Sequence, residues 1–169
     1  MKHLTGLTFL GLLLVLMGCS PISVRTDYDE EVDFTAYESF QWMPVLKKKQ
    51  KKIIKKNSFL DRRIRRAVEH ELESQGYYIE ADGPTDALLA YHIVVEAHVD
   101  VGYAGYGYWG PRYHRRRYRE GTIIVDVIDS ETRQLIWRGS ASGQVGHPNG
   151  DPDQIKAAIA KIFEKFPPR

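Results

Sequence analysis

The sequence predicts an α+β two-layer sandwich, a mostly antiparallel sheet with two helices packed on one face. Three observations lead there. From Asp86 to Val101 apolar and polar residues alternate with period two, which is a long strand with one apolar side. Two segments, starting at Ser58 and Asp151, carry apolar stripes at helical spacing with stop signals behind them. The strands and helices do not alternate as regular βαβ units, which argues against a parallel α/β sheet.

Each element follows from its residues. Val24, Thr26 and Tyr28 alternate with polar neighbours and read as a strand. Asp33 is placed to cap a single helical turn through Tyr37, and Phe40 with Trp42 marks a second short strand ahead of Pro44. The run from Lys47 to Lys56 holds seven lysines (Lys47, Lys48, Lys49, Lys51, Lys52, Lys55 and Lys56), whose mutual repulsion predicts a solvated basic loop over 47–56. Ser58 followed by Asp61 resembles a capping box, and Leu60, Ile64, Ala67, Val68 and Leu72 form the buried stripe of the first helix. Arg62, Arg63, Arg65 and Arg66 fall on its other flank, and Gly76 suits a left-handed C-terminal residue.

Tyr77 to Glu80 is a short strand. In the long strand Leu89, Tyr91, Ile93, Val95, Ala97, Val99 and Val101 point one way, and His92, Glu96, His98 and Asp100 the other. Residues 102–118, rich in Gly, Tyr and Arg, are expected to form an irregular loop. Two further strands, Thr122 to Ile128 and Gln134 to Val145, are joined by the hairpin-like stretch from Asp129 to Arg133. Asp151 caps the last helix, Pro152 suits its first turn, Ile155, Ala158, Ile159, Ile162, Phe163 and Phe166 are its buried stripe, and Pro167-Pro168 stops it. Trp42 and Trp137 are expected in the core.

The N-terminus locates the protein. Lys2, an apolar run from Leu4 to Met17 and then Gly18-Cys19 have the order of a secretion signal. The ending Leu16-Met17-Gly18-Cys19 resembles the lipobox of bacterial lipoproteins, in which the cysteine receives a diacylglycerol and becomes the first mature residue. Fourteen residues of helix span only about 21 Å, short of the roughly 30 Å hydrocarbon core, so a membrane-spanning anchor is the poorer reading. Residues 1–18 are thus expected to be a signal peptide, 19–23 a lipidated tether and 24–169 one domain. Ser20 stands where inner-membrane retention commonly uses aspartate, which points to the outer membrane, facing the periplasm.

The chain has one cysteine, so no disulfide is available and packing must hold the fold. Of 24 basic and 22 acidic side chains only Lys2 falls in the leader, leaving a mature net charge of 23 minus 22, or +1. The distribution is uneven: residues 24–38 carry six acids and one base, residues 46–66 eleven bases and one acid. A basic segment outside the cytoplasm suits anionic lipid or cell-wall polymer better than nucleic acid.

Val24-Arg25-Thr26-Asp27-Tyr28-Asp29, Phe34 with Tyr37, Trp42, the stretch from Glu120-Gly121-Thr122 to Asp126 and Asp129, Ile136-Trp137-Arg138-Gly139 and Phe166-Pro167-Pro168 together resemble the bacterial lipoprotein family of domain of unknown function (DUF) 4136. The resemblance covers nearly all of the mature chain. It implies an exported, lipid-anchored α+β domain and brings no catalytic residues with it. The lysine run is longer and more basic than the family leads one to expect.

Candidate chemistry is sparse. Gly105-Tyr106-Gly107-Tyr108-Trp109-Gly110 matches the dinucleotide fingerprint G-x-G-x-x-G in letters only, because Pro111 and arginines follow where a helix must begin. As a surface the segment has more to offer. Tyr103, Tyr106, Tyr108, Trp109, Tyr113 and Tyr118 supply faces for sugar rings or interfaces, and Arg112, Arg115, Arg116, Arg117 and Arg119 supply forks for phosphate or carboxylate. His92, Glu96, His98 and Asp100, with Asp126, are a conceivable zinc set, although a solvated strand face accounts for them more simply. No nucleophile elbow and no His-Glu-x-x-His occurs. The expectation is a non-enzymatic, lipid-anchored envelope module without cofactor, held to the membrane by its N-terminal lipid and binding anionic lipid, glycan or an envelope protein. An accessory factor for a cell-wall synthesis or envelope transport machine is the alternative, and a metal-dependent or hydrolytic enzyme a more distant one.

Overall fold

A computed structural model of the protein describes residues 22–44, 58–107, 110–146 and 150–167, with 106, 107 and 110–113 described by backbone alone. In chain order the elements are β1 (Ser23–Tyr28), a 3-10 turn (Phe34–Ala36), β2 (Ser39–Trp42), α1 (Ser58–Ser74), β3 (Tyr78–Ile79), β4 (Ala87–Gly107), β5 (Gly110–Asp129), β6 (Leu135–Gln144) and α2 (Pro152–Phe163). The six strands form one sheet in the order β1-β6-β5-β4-β2-β3. β1, β6, β5 and β4 are mutually antiparallel, and β2 adds parallel to both β4 and β3. The result is an α+β sandwich with both helices on one side of a mixed sheet.

The core lies between helices and sheet. Ile64, Val68 and Leu72 of α1 and Ile155, Ile159, Ile162 and Phe163 of α2 meet Phe40, Leu89, Val125, Val127 and Trp137 from the sheet, all buried. Phe166, just past α2, closes the far end, its ring centroid 4.9 Å from Trp137 and 5.7 Å from Tyr77. The expected punctuation is present. Asp33 accepts from the Thr35 amide, Asp151 accepts from the amides of Asp153 and Gln154, and Gly76 has φ 86° after α1. Trp137 is fully buried, and Trp42 packs at the core margin with its indole N–H donating to Glu69 at 2.7 Å.

Three expectations change. Asp61, read as a capping partner, reaches across to the sheet, accepting from Tyr91 Oη at 2.6 Å and pairing with Arg65 at 3.1 Å. Arg65 in turn lies 4.5 Å over the Trp42 ring, so this arginine is part of the packing rather than a free surface charge. The second change is larger. The Gly/Tyr/Arg loop of 102–118 is, in its described part, ladder: β4 runs on to Gly107 and β5 starts at Gly110, paired from Ala87↔Asp129 to Gly107↔Gly110. The glycines that suggested irregularity fit within it, Gly105 taking φ 106° at a bulge beside Tyr103. The third follows from the second. Val95, Val99 and Val101, expected on a covered apolar face, lie beyond the helices and are 57%, 59% and 55% exposed.

Candidate functional site: a glycine-floored groove and a valine–arginine arm

Register fixes which residues share a face. β6 ends opposite Glu120, at Gln144, so from Arg119 outward β4 and β5 continue as a two-stranded arm among the described residues. On the helix side Val95, Val99, Val101 and Tyr103 stand on β4, and opposite them on β5 stand Gly121, Arg117, Arg115 and Tyr113, with Arg119 opposite Ala97. One strand thus carries apolar side chains and its neighbour guanidinium groups. On the other side His98 stacks on Tyr118 with centroids 5.3 Å apart, and Asp100 faces Arg116.

Where the arm leaves the body, the helix side of the sheet opens into an apolar groove of about 230 Å³. Ile93, Val95, Gly121, Ile123, Ala141 and Gly143 form its floor, Leu60 of α1 and Ile155 and Ala158 of α2 its wall, and Ile22 its edge. Arg119, Gln144, Asp151 and Gln154 stand at its rim. Two glycines shape the floor, Gly121 by making room for Val145 and Gly143 by leaving open space. Gly121 lies opposite Gly143, and a Cβ on Gly121 would come 2.9 Å from Val145 Cγ1. A Cβ on Gly143 would meet only Ile22, at 3.9 Å, so its side-chain space is the groove itself. The Arg119 guanidinium has no carboxylate partner among the described residues.

The opposite face of the sheet holds a different cluster. Asp126 is 3% exposed, and Arg138 covers it with two parallel donors, Nε at 2.6 Å and Nη2 at 2.8 Å, while His92 Nε2 lies 3.4 Å away. This bidentate bond is the leading reason the guanidinium holds its proton still more firmly than usual. His98 sits 3.7 Å from Glu96 and 3.8 Å from Glu120. Among the described residues no three His, Cys, Asp or Glu side chains come together as a metal group. Asp129, the last residue of β5, accepts from the amides of Glu131 and Thr132 in the turn that follows and from Tyr37 Oη, a structural post. Those turn bonds, the Thr132 amide foremost, hold its carboxyl below the ordinary range, and burial followed by the Asp129 bond pushes the Tyr37 phenol up to about 12.

Of the residues singled out from sequence, Tyr103, Arg115, Arg116 and Arg117 are exposed along the arm, Arg116 on the face opposite to its neighbours. The side chains of Tyr106 and Tyr113 lie outside the described residues, as do Tyr108, Trp109, Cys19 and the run Lys47, Lys48, Lys49, Lys51, Lys52, Lys55 and Lys56. Sequence reading missed the groove. Its signal was faint: Gly121 lies within β5 and Gly143 near the end of β6, and only the β5–β6 register sets them side by side.

The comparisons agree with this architecture. The family model described as Domain of unknown function (DUF4136) matches residues 24–168, and the chain belongs to that family. No curated protein matches the chain significantly. Among solved structures, a PDZ domain protein from Parabacteroides distasonis is similar at TM-score 0.59 and 13% identity, over 86% of this chain and 36% of that one. The chain therefore corresponds to about a third of that protein. PelC from Paraburkholderia phytofirmans, described as a dodecamer, is similar at TM-score 0.51 and 11% identity, over 88% of this chain and 99% of that one. At such identities the likeness is one of fold.

Proposed function

We propose that this DUF4136 member is a lipid-anchored, non-enzymatic binding module of the bacterial envelope, held by Cys19 in the outer membrane and facing the periplasm. One observation carries the reading: the first described residue, Ile22, lies at the β1 edge of the sheet beside the groove. Cys19 is three residues away, within roughly 10 Å at 3.3–3.6 Å per residue. Through the ladder Ser23–Ser142–Thr122–Val94 that tether leaves the sheet a third of the way along β4, not at either end. From Val94 the arm runs on for roughly 44 Å and the body back for roughly 24 Å, at 3.4 Å per residue. Neither end can stand on the membrane with so short a tether, so the strands run along the surface and the β1 edge faces it. Past the end of β6, β5 becomes that edge, and it brings Arg115, Arg116, Arg117 and Arg119 towards the headgroups.

Arginine forks suit lipid phosphate, and such attraction weakens with salt. The matching test compares mature chain carrying Cys19→Ser with the same chain carrying Arg115, Arg116 and Arg117 as Gln, each sedimented with anionic vesicles at low and high salt. The reading predicts salt-sensitive binding that the triple variant loses; equal binding by both chains refutes it. Acylation is tested separately by feeding cells a clickable fatty acid, which the Cys19→Ser protein should fail to incorporate. The lysine run adds a second basic segment, and replacing its seven lysines by Gln tests its share.

A second reading, an accessory subunit of a cell-wall synthesis or envelope transport machine, is favoured by one fact: the structural neighbour matched over 99% of its length is described as a dodecamer. Light scattering of the mature chain distinguishes a dodecamer from a monomer.

A further inference from the structure

We propose that the glycine-floored groove binds the acyl chain of a single-chain anionic lipid, a lysophospholipid of the adjoining leaflet, with Arg119 at its mouth taking the phosphate. The source of the ligand, though not the groove, rests on the reading that the chain sits at a membrane. Three observations converge. The groove is apolar along its floor, from Ile93 and Val95 to Ile123 and Ala141, yet it stands open where the helix side further into the body, at Leu89, Val125 and Val127, is sealed by α1 and α2. At about 230 Å³, and roughly 30 Å³ per methylene- or water-sized unit, it takes about eight units, a stretch of one acyl chain whose remainder runs out through the open mouth. Its emptiness is built in, because Gly143 leaves space that any larger residue would fill, whereas the same strand face at Gly139 is packed by Ile162 and Trp137.

Charge complementarity names the head group. Arg119 lines the same groove as the apolar floor and has no acid beside it among the described residues, while Asp151, also at the rim, spends its carboxylate on the Asp153 and Gln154 amides. An apolar slot ending at an arginine accepts an aliphatic tail ending in an anion. A neutral or zwitterionic head gains less from that arginine, and a two-chain lipid leaves its second tail in water.

The experiment uses mature chain carrying Cys19→Ser, and palmitoyl lysophosphatidylglycerol and palmitoyl lysophosphatidylcholine as probes below their micellar concentrations. Titration calorimetry should show one site that prefers the glycerol head. Gly143→Leu fills the slot and should weaken both probes about tenfold or more, at unchanged thermal midpoint, through steric exclusion. Val95→Asp, at an exposed floor position, is the second blocking variant. Arg119→Gln should weaken the anionic probe about threefold, in line with an exposed ion pair, and leave the zwitterionic one alone. Absence of binding, or equal binding by wild type and both blocking variants, overturns the proposal. So does binding by the Cys19→Ser chain that vanishes in the acylated protein, since the groove would then belong to the protein's own anchor. Failure here with Cys19 acylated in cells leaves the anchoring reading standing, and the two are told apart by that labelling.

Discussion

Two glycines on one face of β6 should respond oppositely to the same methyl group. At Gly139 a Cβ would lie 2.9 Å from Trp137 Cζ2 and closer still to Ile162 Cγ2. Carbon pairs are at ease near 3.5–4.0 Å, so the overlap is at least about 0.6 Å, against two side chains with no solvent to retreat into. Trp137 and Ile162 are both fully buried, and Trp137 is already pressed between Phe163 at 5.5 Å and Phe166 at 4.9 Å. Gly139→Ala should therefore cost about 1–3 kcal/mol. At roughly 2.1 cal/mol/K per residue, a domain of about 150 residues then loses about 3–10 °C of thermal midpoint. At Gly143 the nearest atom is Ile22 Cγ1 at 3.9 Å, an ordinary contact, so Gly143→Ala should be neutral or slightly stabilising, within about 1 kcal/mol, because it restricts the unfolded chain. Circular dichroism melts of the two variants beside the parent decide the matter. If Gly143→Ala costs as much as Gly139→Ala, the groove is not open space and the boundary drawn between core and groove is wrong.

The remaining predictions concern core and pH. Trp137→Ala removes a fully buried indole and should destabilise by about 3–5 kcal/mol, an unchanged melt contradicting its place in the core. Asp33, Asp86 and Asp129 all titrate below the ordinary 3.8 when folded, through side-chain or backbone donors at Thr35, Ser39 and Thr132 respectively. Below about pH 4 the unfolded chain therefore binds more protons than the folded one. Stability should be level above that and fall as acid titrates these groups, with a shallower slope in Asp86→Asn measured by urea melts from pH 5 to 2. Tyr37, raised to about 12, gives the mirror case: its contribution is full below pH 10 and lost as pH climbs towards 12, so Tyr37→Phe should show a smaller alkaline loss than the parent, the remainder belonging to Tyr91, which burial also raises.

Much of the fold was legible because its signals are local. Asp33, Asp151 and Gly76 act on amides or dihedrals within a few residues, and the stripes of α1 and α2 need only helical spacing. The arm was not legible, since a run of Gly, Tyr and Arg has loop composition and becomes strand only by pairing residue for residue with its partner. Burial of Val99 and Val101 was misjudged for a related reason. Period two says which face a residue occupies, not how far along that face the helices reach. The groove depends on three strands in register and a helix end brought over them, which no single stretch of sequence encodes.

Anchoring through Cys19 requires one orientation of the sheet at the membrane, with the arginine strand nearer the headgroups than β3. In acylated protein reconstituted into anionic vesicles, a fluorophore is attached through Arg117→Cys on the arginine strand or through Glu80→Cys beside β3, the opposite sheet edge. In the strand order β5 and β3 are three spacings apart, so at roughly 4.8 Å each the two probes differ in height by about 14 Å. A headgroup-bound quencher should strongly dim the probe at 117 and leave the probe at 80 bright; equal quenching, or the reverse order, contradicts the proposed orientation.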